Sequence, residues 1–220
     1  MRTMRKINKY MLCGTLALIL ALCTCLSACS GTKSAPPLSE VYDEFVALIE
    51  ASHQLNVVLY GHGLPTYEYK SALATHNSMY IFDNRGEREY VSPYAKFATE
   101  QSIKDAVEAV YSERYTESVM GMMFVGATLG DDTGTAIAAR YSQDDTWFYQ
   151  NRLYEPVVTN MRVYDYASMK IVKPSSQEYV NVEIDSYAPG QGWMTFTLSF
   201  IYEEIDDQGH RAWRLDSPTY

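Results

Sequence analysis

The side chains best suited to recognise a ligand are arginines interleaved with aromatic residues in the second half of the chain. A guanidinium group offers N–H donors to carboxylates and phosphates and also stacks on aromatic rings. The candidate ligand-binding residues are Arg140, Tyr141, Arg162, Tyr164, Trp193, Trp213 and Arg214. On the face of a sheet they could recognise an anion, a sugar or a peptide. An alternative stays open, in which the arginines pair with Glu183, Asp185 and Asp216 across strands.

Other patterns that look like catalytic or metal-binding motifs predict surface loops instead. Asp132-Thr133-Gly134-Thr135 contains the Asp-Thr-Gly of aspartic proteases, but it follows a turn-like stretch and has no second copy. The four histidines lack the His-x-x-x-His spacing of helical zinc sites. Adjacent acidic pairs lack the alternating ligand spacing of calcium loops. The sequence therefore predicts no catalytic residue, no metal and no cofactor, and it favours a protein that is not an enzyme.

The amino-terminal residues have the layout of an export signal. Basic residues precede an apolar run over residues 11–26, which is shorter than the roughly 20 residues of a membrane-spanning helix. Leu26-Ser27-Ala28-Cys29 matches the bacterial lipobox, and this match implies cleavage before Cys29 and attachment of diacylglycerol to its sulfur. We expect residues 1–28 to be a lipoprotein signal peptide. Residues 29–37 then form the lipidated cysteine and a flexible tether.

This layout predicts an exported protein, lipid-anchored on the extracytoplasmic face of the cell membrane. All four cysteines lie within the first 29 residues, so the domain that follows contains no disulfide or thiolate metal site. The first 28 residues hold four of the 18 basic residues and none of the 27 acidic ones, which leaves 14 basic against 27 acidic side chains. Such a charge opposes nucleic acid. It suits either general solubility or a cationic partner.

Helical signals occupy the first part of the predicted domain. Apolar residues at helical spacing predict a long amphipathic helix from Leu38 through Leu55, with Ser39 as its N-cap and Gly61 as its exit. A second helix is predicted to begin near Thr99. A third, short helix is predicted to be capped by Ser112.

Strand signals dominate the last hundred residues, where apolar and polar side chains alternate as in an antiparallel sheet with one solvated face. Pro189-Gly190-Gln191-Gly192 and Asp206-Asp207-Gln208-Gly209 are typical of hairpin turns. A shorter hairpin is expected within residues 79–91. Residues 38–220 are therefore predicted to form a single α+β domain, with N-terminal helices packed on a curved antiparallel C-terminal sheet.

This order of elements resembles the nuclear-transport-factor-like and cystatin-like α+β superfamily. The resemblance implies a curved sheet wrapped around helices as a cone, which in many members holds a pocket at its wide end. The ending Trp213-Arg214-Leu215-Asp216-Ser217-Pro218-Thr219-Tyr220 also resembles the last strand of small lipoproteins common in Firmicutes. The Asp or His with Tyr that enzymes of this fold use cannot be placed by motif, so their activities do not carry over.

A narrower similarity links the chain to the DL-endopeptidase inhibitor family, secreted proteins that block peptidoglycan hydrolases. The matching residues are Tyr90-Val91, Phe97-Ala98-Thr99, Ile103-Lys104, Val110-Tyr111-Ser112 and Tyr115, with Ser168-Met169-Lys170-Ile171-Val172 and Tyr179-Val180-Asn181-Val182 in its sheet half. The resemblance implies a peptidoglycan hydrolase as a partner in the envelope.

The anchor, the acidic charge, the 18 tyrosines that remain once Tyr10 leaves with the signal peptide and the missing catalytic motifs together predict a non-enzymatic, membrane-anchored binding module. Tyrosine suits both binding surfaces and strands, so its abundance favours neither alone. The most concrete version of this hypothesis is regulation of a cell-wall hydrolase. Two alternatives stay open: a small-molecule-binding protein or enzyme with a pocket in the cone, and a structural subunit of an envelope complex.

Overall fold

A computed structural model describes residues 34–66, 80–83, 86–128, 136–137, 139–151 and 162–220. The predicted lipobox and the Asp-Thr-Gly motif lie outside these residues. Residues Ala35–Tyr220 form one compact unit. Among the helices described, none combines the length and the apolar character needed to cross a membrane.

In the described part of the chain, three α-helices form close to where the sequence places them. Their bounds are Leu38–Leu59 for α1, Glu100–Val110 for α2 and Glu113–Met120 for α3, and a π-helical turn over Gly121–Val125 follows α3. Thr99 and Ser112 cap α2 and α3, because their hydroxyl oxygens accept hydrogen bonds from backbone amides of the first turn. This confirms the predicted cap at Ser112 and the predicted start of a helix near Thr99.

The start of α1 differs from the prediction. Pro37 is the N-cap, no side chain caps the helix, and the amide of Glu40 donates to the Pro37 carbonyl over 3.0 Å. Ser39 is therefore inside the first turn and the prediction that it is the N-cap is wrong. The N-cap lies two residues earlier than predicted, at a proline whose φ of −57° already suits entry into a helix. At the other end, the amide of Gly61 donates to two carbonyls of the last turn, so this glycine is the helix exit, as predicted.

The described residues include ten strands, which pair in antiparallel sheets. They are β1 Tyr80–Asp83, β2 Gly86–Tyr90, β3 Ala127–Thr128, β4 Ala136–Ile137, β5 Tyr141–Gln143, β6 Phe148–Asn151, β7 Val163–Val172, β8 Tyr179–Ala188, β9 Gly192–Glu204 and β10 Arg211–Leu215. The first sheet has the order β1-β2-β6-β5, the second has the order β10-β9-β8-β7, and β3 pairs with β4. Helices followed by a C-terminal antiparallel sheet confirm the α+β class.

The hydrophobic core lies between α1 and one face of the second sheet, here called the inner face. Alternate residues of β8 and β9 on this face are buried, among them Val182 and Leu198. The ring of Phe45 stacks on Phe200 with centroids 3.8 Å apart and meets the edge of Trp213 at 5.2 Å. The apolar face of α1 and the apolar faces of the strands therefore bury each other in one interface.

Candidate functional site

The seven predicted ligand-binding residues do not form one site. Arg140 and Tyr141 lie at β5 in the first sheet, whereas the other five belong to the second sheet. There, Arg162, Tyr164 and Trp193 lie near the β8–β9 hairpin, and Trp213 and Arg214 lie on β10 at the opposite edge. The chain therefore offers three separate locations, which have different roles.

Arg140 and Tyr141 anchor the first sheet to the end of α1. The Tyr141 hydroxyl donates to the Val58 carbonyl over 2.7 Å, and Arg140 Nη2 donates to the Gly61 carbonyl over 2.6 Å. Both side chains are almost fully buried. Since they satisfy carbonyls that a helix end leaves without intrahelical partners, this pair serves the fold.

Trp213 and Arg214 point in opposite directions from β10. Trp213 is buried against Phe45 and Tyr202 in the core. Arg214 Nε donates to the Glu108 carbonyl over 2.8 Å, and this bond joins β10 to α2. Partial burial lowers the pKa of Arg214, whereas Glu203 and Glu44 oppose that shift. Of these two residues, only Arg214 reaches the surface, where it lines the groove described below.

The predicted cross-strand partners of the arginines bind other groups. Lys170 pairs with Glu183 over 2.9 Å, Arg114 of α3 pairs with Asp216, and the Thr195 hydroxyl donates to Asp185 over 2.6 Å. Within the described residues, Arg162 and Arg214 therefore do not form the cross-strand pairs with these three carboxylates that the alternative predicted. Glu183 and Asp185 lie on the outer face of the sheet, which is the face turned away from α1, because they alternate with the buried Val182 and Ile184.

An acidic groove of about 700 Å³ lies between α2, the start of α3 and the β9–β10 hairpin. Its walls hold seven carboxylates and one guanidinium, that of Arg214. The acidic lining residues are Asp105, Glu108, Glu113, Glu203, Glu204, Asp206 and Asp207. No group of three or more histidine, cysteine or acidic residues in the described part of the chain is arranged to hold a metal ion.

The electrostatics of this acidic groove are unbalanced. Burial raises the pKa of Glu203, although the amide of Glu113 at the start of α3 donates to its Oε1 over 3.1 Å and Arg214 lies nearby. Asp206 is differently placed, because hydrogen bonds from His210 hold the pKa of its carboxyl below the ordinary range. A carboxylate that is partly desolvated beside further carboxylates favours the approach of a cation.

A second location of interest is the inner face near the β8–β9 hairpin. The Arg162 guanidinium is 5% exposed and lies 3.9 Å from the centroid of Phe196. It donates to Ser186 Oγ over 3.2 Å and to Gln191 Oε1 over 2.8 Å. Its Nε is buried without a hydrogen-bond partner. A buried cation among neutral partners is unusual enough to need a physical explanation.

His53 of α1 packs at the same end of the inner face. Its ring stacks on Tyr164 with centroids 5.6 Å apart, and its Nε2 is buried without a hydrogen-bond partner. Burial raises the pKa of Tyr164 to about 12 despite the opposing charge of Arg162, so the phenol stays protonated at neutral pH. Its hydroxyl donates to the Thr219 carbonyl over 3.1 Å.

The stability of the fold should depend on the protonation of His53. Burial lowers the pKa of His53 below its ordinary value, with Glu50 opposing this shift, so the unfolded chain binds a proton more readily than the folded one. The contribution of the neutral, buried imidazole to the free energy of unfolding should be complete above about pH 6.5. It should be lost as the pH falls through the lowered pKa. Chemical denaturation between about pH 8 and pH 5 measures this loss.

The matched variant for that measurement is His53→Phe, which keeps an aromatic ring against Tyr164 but cannot be protonated. Its free energy of unfolding should fall less between neutral and acidic pH than that of the unaltered chain. Equal pH dependence of the two proteins would contradict the assignment to His53.

Sequence reasoning missed both His53 and the acidic groove. His53 follows Ile49 by four residues and precedes Asn56 by three, so its spacing places it beside the core face of α1. The groove has no comparable local signal, because its walls come from segments about ninety residues apart in the chain.

Comparison of the chain with protein-family models, with curated proteins and with solved structures finds no match.

Proposed function

We propose that this chain is a lipid-anchored, extracytoplasmic binding module that recognises a cationic segment of a partner protein in the acidic groove. The observation that carries the proposal is the charge of this groove, where seven carboxylates face one guanidinium. Lysine and arginine side chains are complementary to such a surface, and complementary charge speeds association and selects partners.

The contacts of Arg214 support a groove that is open to an additional cation. Both of its recorded hydrogen bonds go to backbone carbonyls, those of Glu108 and Trp213, and not to a carboxylate of the groove. Its guanidinium is therefore used to join β10 to α2. The exposed carboxylates of Glu108, Glu204 and Asp207 stay available at the surface.

Packing favours recognition at the surface over a ligand deep in the core. In the described residues, the space between α1 and the second sheet is occupied by stacked aromatic and aliphatic side chains, with Phe45 and Phe200 in direct contact. A groove on the outside of the molecule can instead accept an extended or helical segment of another protein. The more specific proposal is that this protein is a peptidoglycan hydrolase and that occupancy of the groove regulates it.

Binding of a cationic probe tests the location of the site. We expect a short peptide of alternating lysine and glycine to bind at about 50 mM salt and to dissociate at about 300 mM, since exposed charges are screened. The triple variant Glu108→Gln, Glu204→Gln, Asp207→Asn should weaken binding about tenfold, which corresponds to about 0.5 kcal/mol for each exposed pair. Isothermal titration calorimetry measures both effects.

The matched control removes the same charge elsewhere. The triple variant Glu40→Gln, Asp43→Asn, Glu117→Gln neutralises exposed carboxylates of α1 and α3 that do not line the groove. This control loses the same net charge as the groove variant. Its affinity for the peptide should nevertheless stay within about twofold of that of the unaltered chain. Equal weakening in the two triple variants would mean that only overall charge matters and would contradict recognition in the groove.

Capture from a detergent extract of the native envelope tests the identity of the partner. The unaltered protein and the control variant should retain the same peptidoglycan hydrolase, and the groove variant should not. If the three proteins retain the same set of envelope proteins, regulation of a hydrolase through this groove is rejected.

A further inference from the structure

A buried arginine on the inner face of the second sheet has no counter-charge among the residues that the structure describes. Arg162 is 5% exposed, and its recorded partners are Ser186, Gln191 and the ring of Phe196, all of them neutral. None of the ion pairs found among the described residues includes it. Burial of an unpaired cation is unfavourable because its lost hydration is not replaced, so a group that compensates it is expected.

The geometry of the guanidinium indicates where that group would bind. Two of its nitrogens, Nη1 and Nη2, already donate to side-chain oxygens, whereas Nε has no acceptor. The Nε–H bond and one Nη–H bond lie on the same edge of the planar group, which can pair with both oxygens of a carboxylate. One anion that accepts two hydrogen bonds along this edge would supply the acceptor that Nε lacks.

The residues around Arg162 indicate the chemical character of the rest of the ligand. Met194 is the direct cross-strand partner of Ser186 and is 40% exposed, so this end of the inner face reaches solvent. Phe196 beside it is half-buried. A methionine and a phenylalanine offer an adaptable apolar surface. His53 adds a second buried nitrogen without a partner at the same end, against Tyr164.

We infer that this end of the inner face, bounded by Arg162, Tyr164, Ser186 and Met194, binds the carboxylate of a small organic acid whose apolar part lies on Met194 and Phe196. The carboxylate accepts from the free edge of Arg162. A single guanidinium matches one negative charge, whereas a phosphate dianion needs more donors. The acidic balance of the chain, with a formal net charge of −9, further disfavours polyanions.

This subsite is separate from the acidic groove. The groove is lined by residues of α2, α3 and the β9–β10 hairpin, and none of them bounds the carboxylate subsite. Loss of peptide binding and loss of carboxylate binding can therefore be observed independently. Failure of either proposal leaves the other standing.

Thermal unfolding of the purified protein with benzoate tests the inference. Benzoate carries one carboxylate on an apolar ring, and benzamide has nearly the same shape without the charge. At tens of millimolar and constant ionic strength, benzoate should raise the Tm by roughly 2 to 4 °C and benzamide by less than about 1 °C. Equal shifts with the two compounds, or no shift with benzoate, would overturn the proposal.

Substitutions locate the effect. Arg162→Met should abolish the benzoate-dependent rise, and its Tm without benzoate should be unchanged or higher because an unpaired buried charge has been removed. Arg211→Met is the matched control, since Arg211 also lies over an aromatic ring but is exposed and pairs with Glu178. A rise retained in Arg162→Met, or lost equally in Arg211→Met, contradicts the assignment.

A second readout uses the unaltered chain in case Arg162→Met does not fold. The ¹H–¹⁵N signal of the buried Arg162 Nε should move on addition of benzoate and stay in place with benzamide. A purely structural arginine would show no such difference between the two compounds, and that result would also reject the subsite.

Discussion

Replacement of Phe45 by alanine is expected to lower the free energy of unfolding by about 3 to 5 kcal/mol, the largest effect of any single truncation considered. Phe45 is fully buried and joins α1 to two strands of the second sheet at once, through Phe200 on β9 and Trp213 on β10. Alanine removes both ring contacts and leaves a cavity that the stiff sheet cannot close. Equilibrium denaturation in urea measures the loss.

The control for this experiment is Tyr94→Ala. Tyr94 is 91% exposed and contributes little to the core, so its truncation should change the free energy of unfolding by less than about 0.5 kcal/mol. A loss below about 1.5 kcal/mol for Phe45→Ala would mean that α1 does not pack on the inner face as described.

Replacement of Asn56 by alanine is expected to cost about 2 to 3 kcal/mol for a different reason. Asn56 is fully buried on α1, where its Oδ1 accepts from the Tyr111 hydroxyl over 3.0 Å and its Nδ2 donates to Thr219 Oγ1 over 2.8 Å. Ser52 and Thr219 share a further hydrogen bond of 2.6 Å. Removal of the amide leaves buried polar groups short of partners, and their desolvation is no longer offset.

A double-mutant cycle separates this network from simple packing. Thr219→Val keeps the volume of the side chain but removes the hydroxyl that Asn56 contacts. The double variant with Asn56→Ala should be less destabilised than the sum of the two single variants by about 1 kcal/mol. Additivity within about 0.3 kcal/mol would indicate that the two residues act separately.

Gln54→Ala is the appropriate comparison on the same helix. Gln54 is exposed and accepts a hydrogen bond from Lys96 at the surface. Its truncation should cost less than about 0.5 kcal/mol, although helix position and chemical type are similar to those of Asn56. The contrast assigns the effect to burial of the amide.

Local features of the fold were readable from the sequence because each depends on a few neighbouring residues. The hydroxyls of Thr99 and Ser112 cap the helices that follow them. Gly190 and Gly209 adopt φ angles of 83° and 81° in the two hairpin turns, a region that favours glycine. The alternation correctly predicted the core-facing side chains of β8 and of the middle of β9, among them Val182 and Leu198, whereas Met194 near the start of β9 is exposed.

The pairing of distant strands could not be read in the same way. The neighbour of β2 in the first sheet is β6, which follows it by about sixty residues, and no turn chemistry specifies that pairing. The short strands β5 and β6 also carry too few residues for a clear alternation. Their place in the sheet depends on contacts with α1, such as the bond from Tyr141 to the Val58 carbonyl.

The sequence by itself determined the α+β class, the sites of the helices and hairpins, and the residue types available for binding. Tertiary structure decided what each of those residues does. Arg140, Arg162 and Arg214 are chemically identical, yet the first anchors a helix end and the third lines an acidic groove. Arg162 is buried with no counter-charge among the described residues. The physical reason is that capping and turn formation act over three or four residues, whereas the solvation and charge environment of a side chain are set by whichever distant segments pack around it.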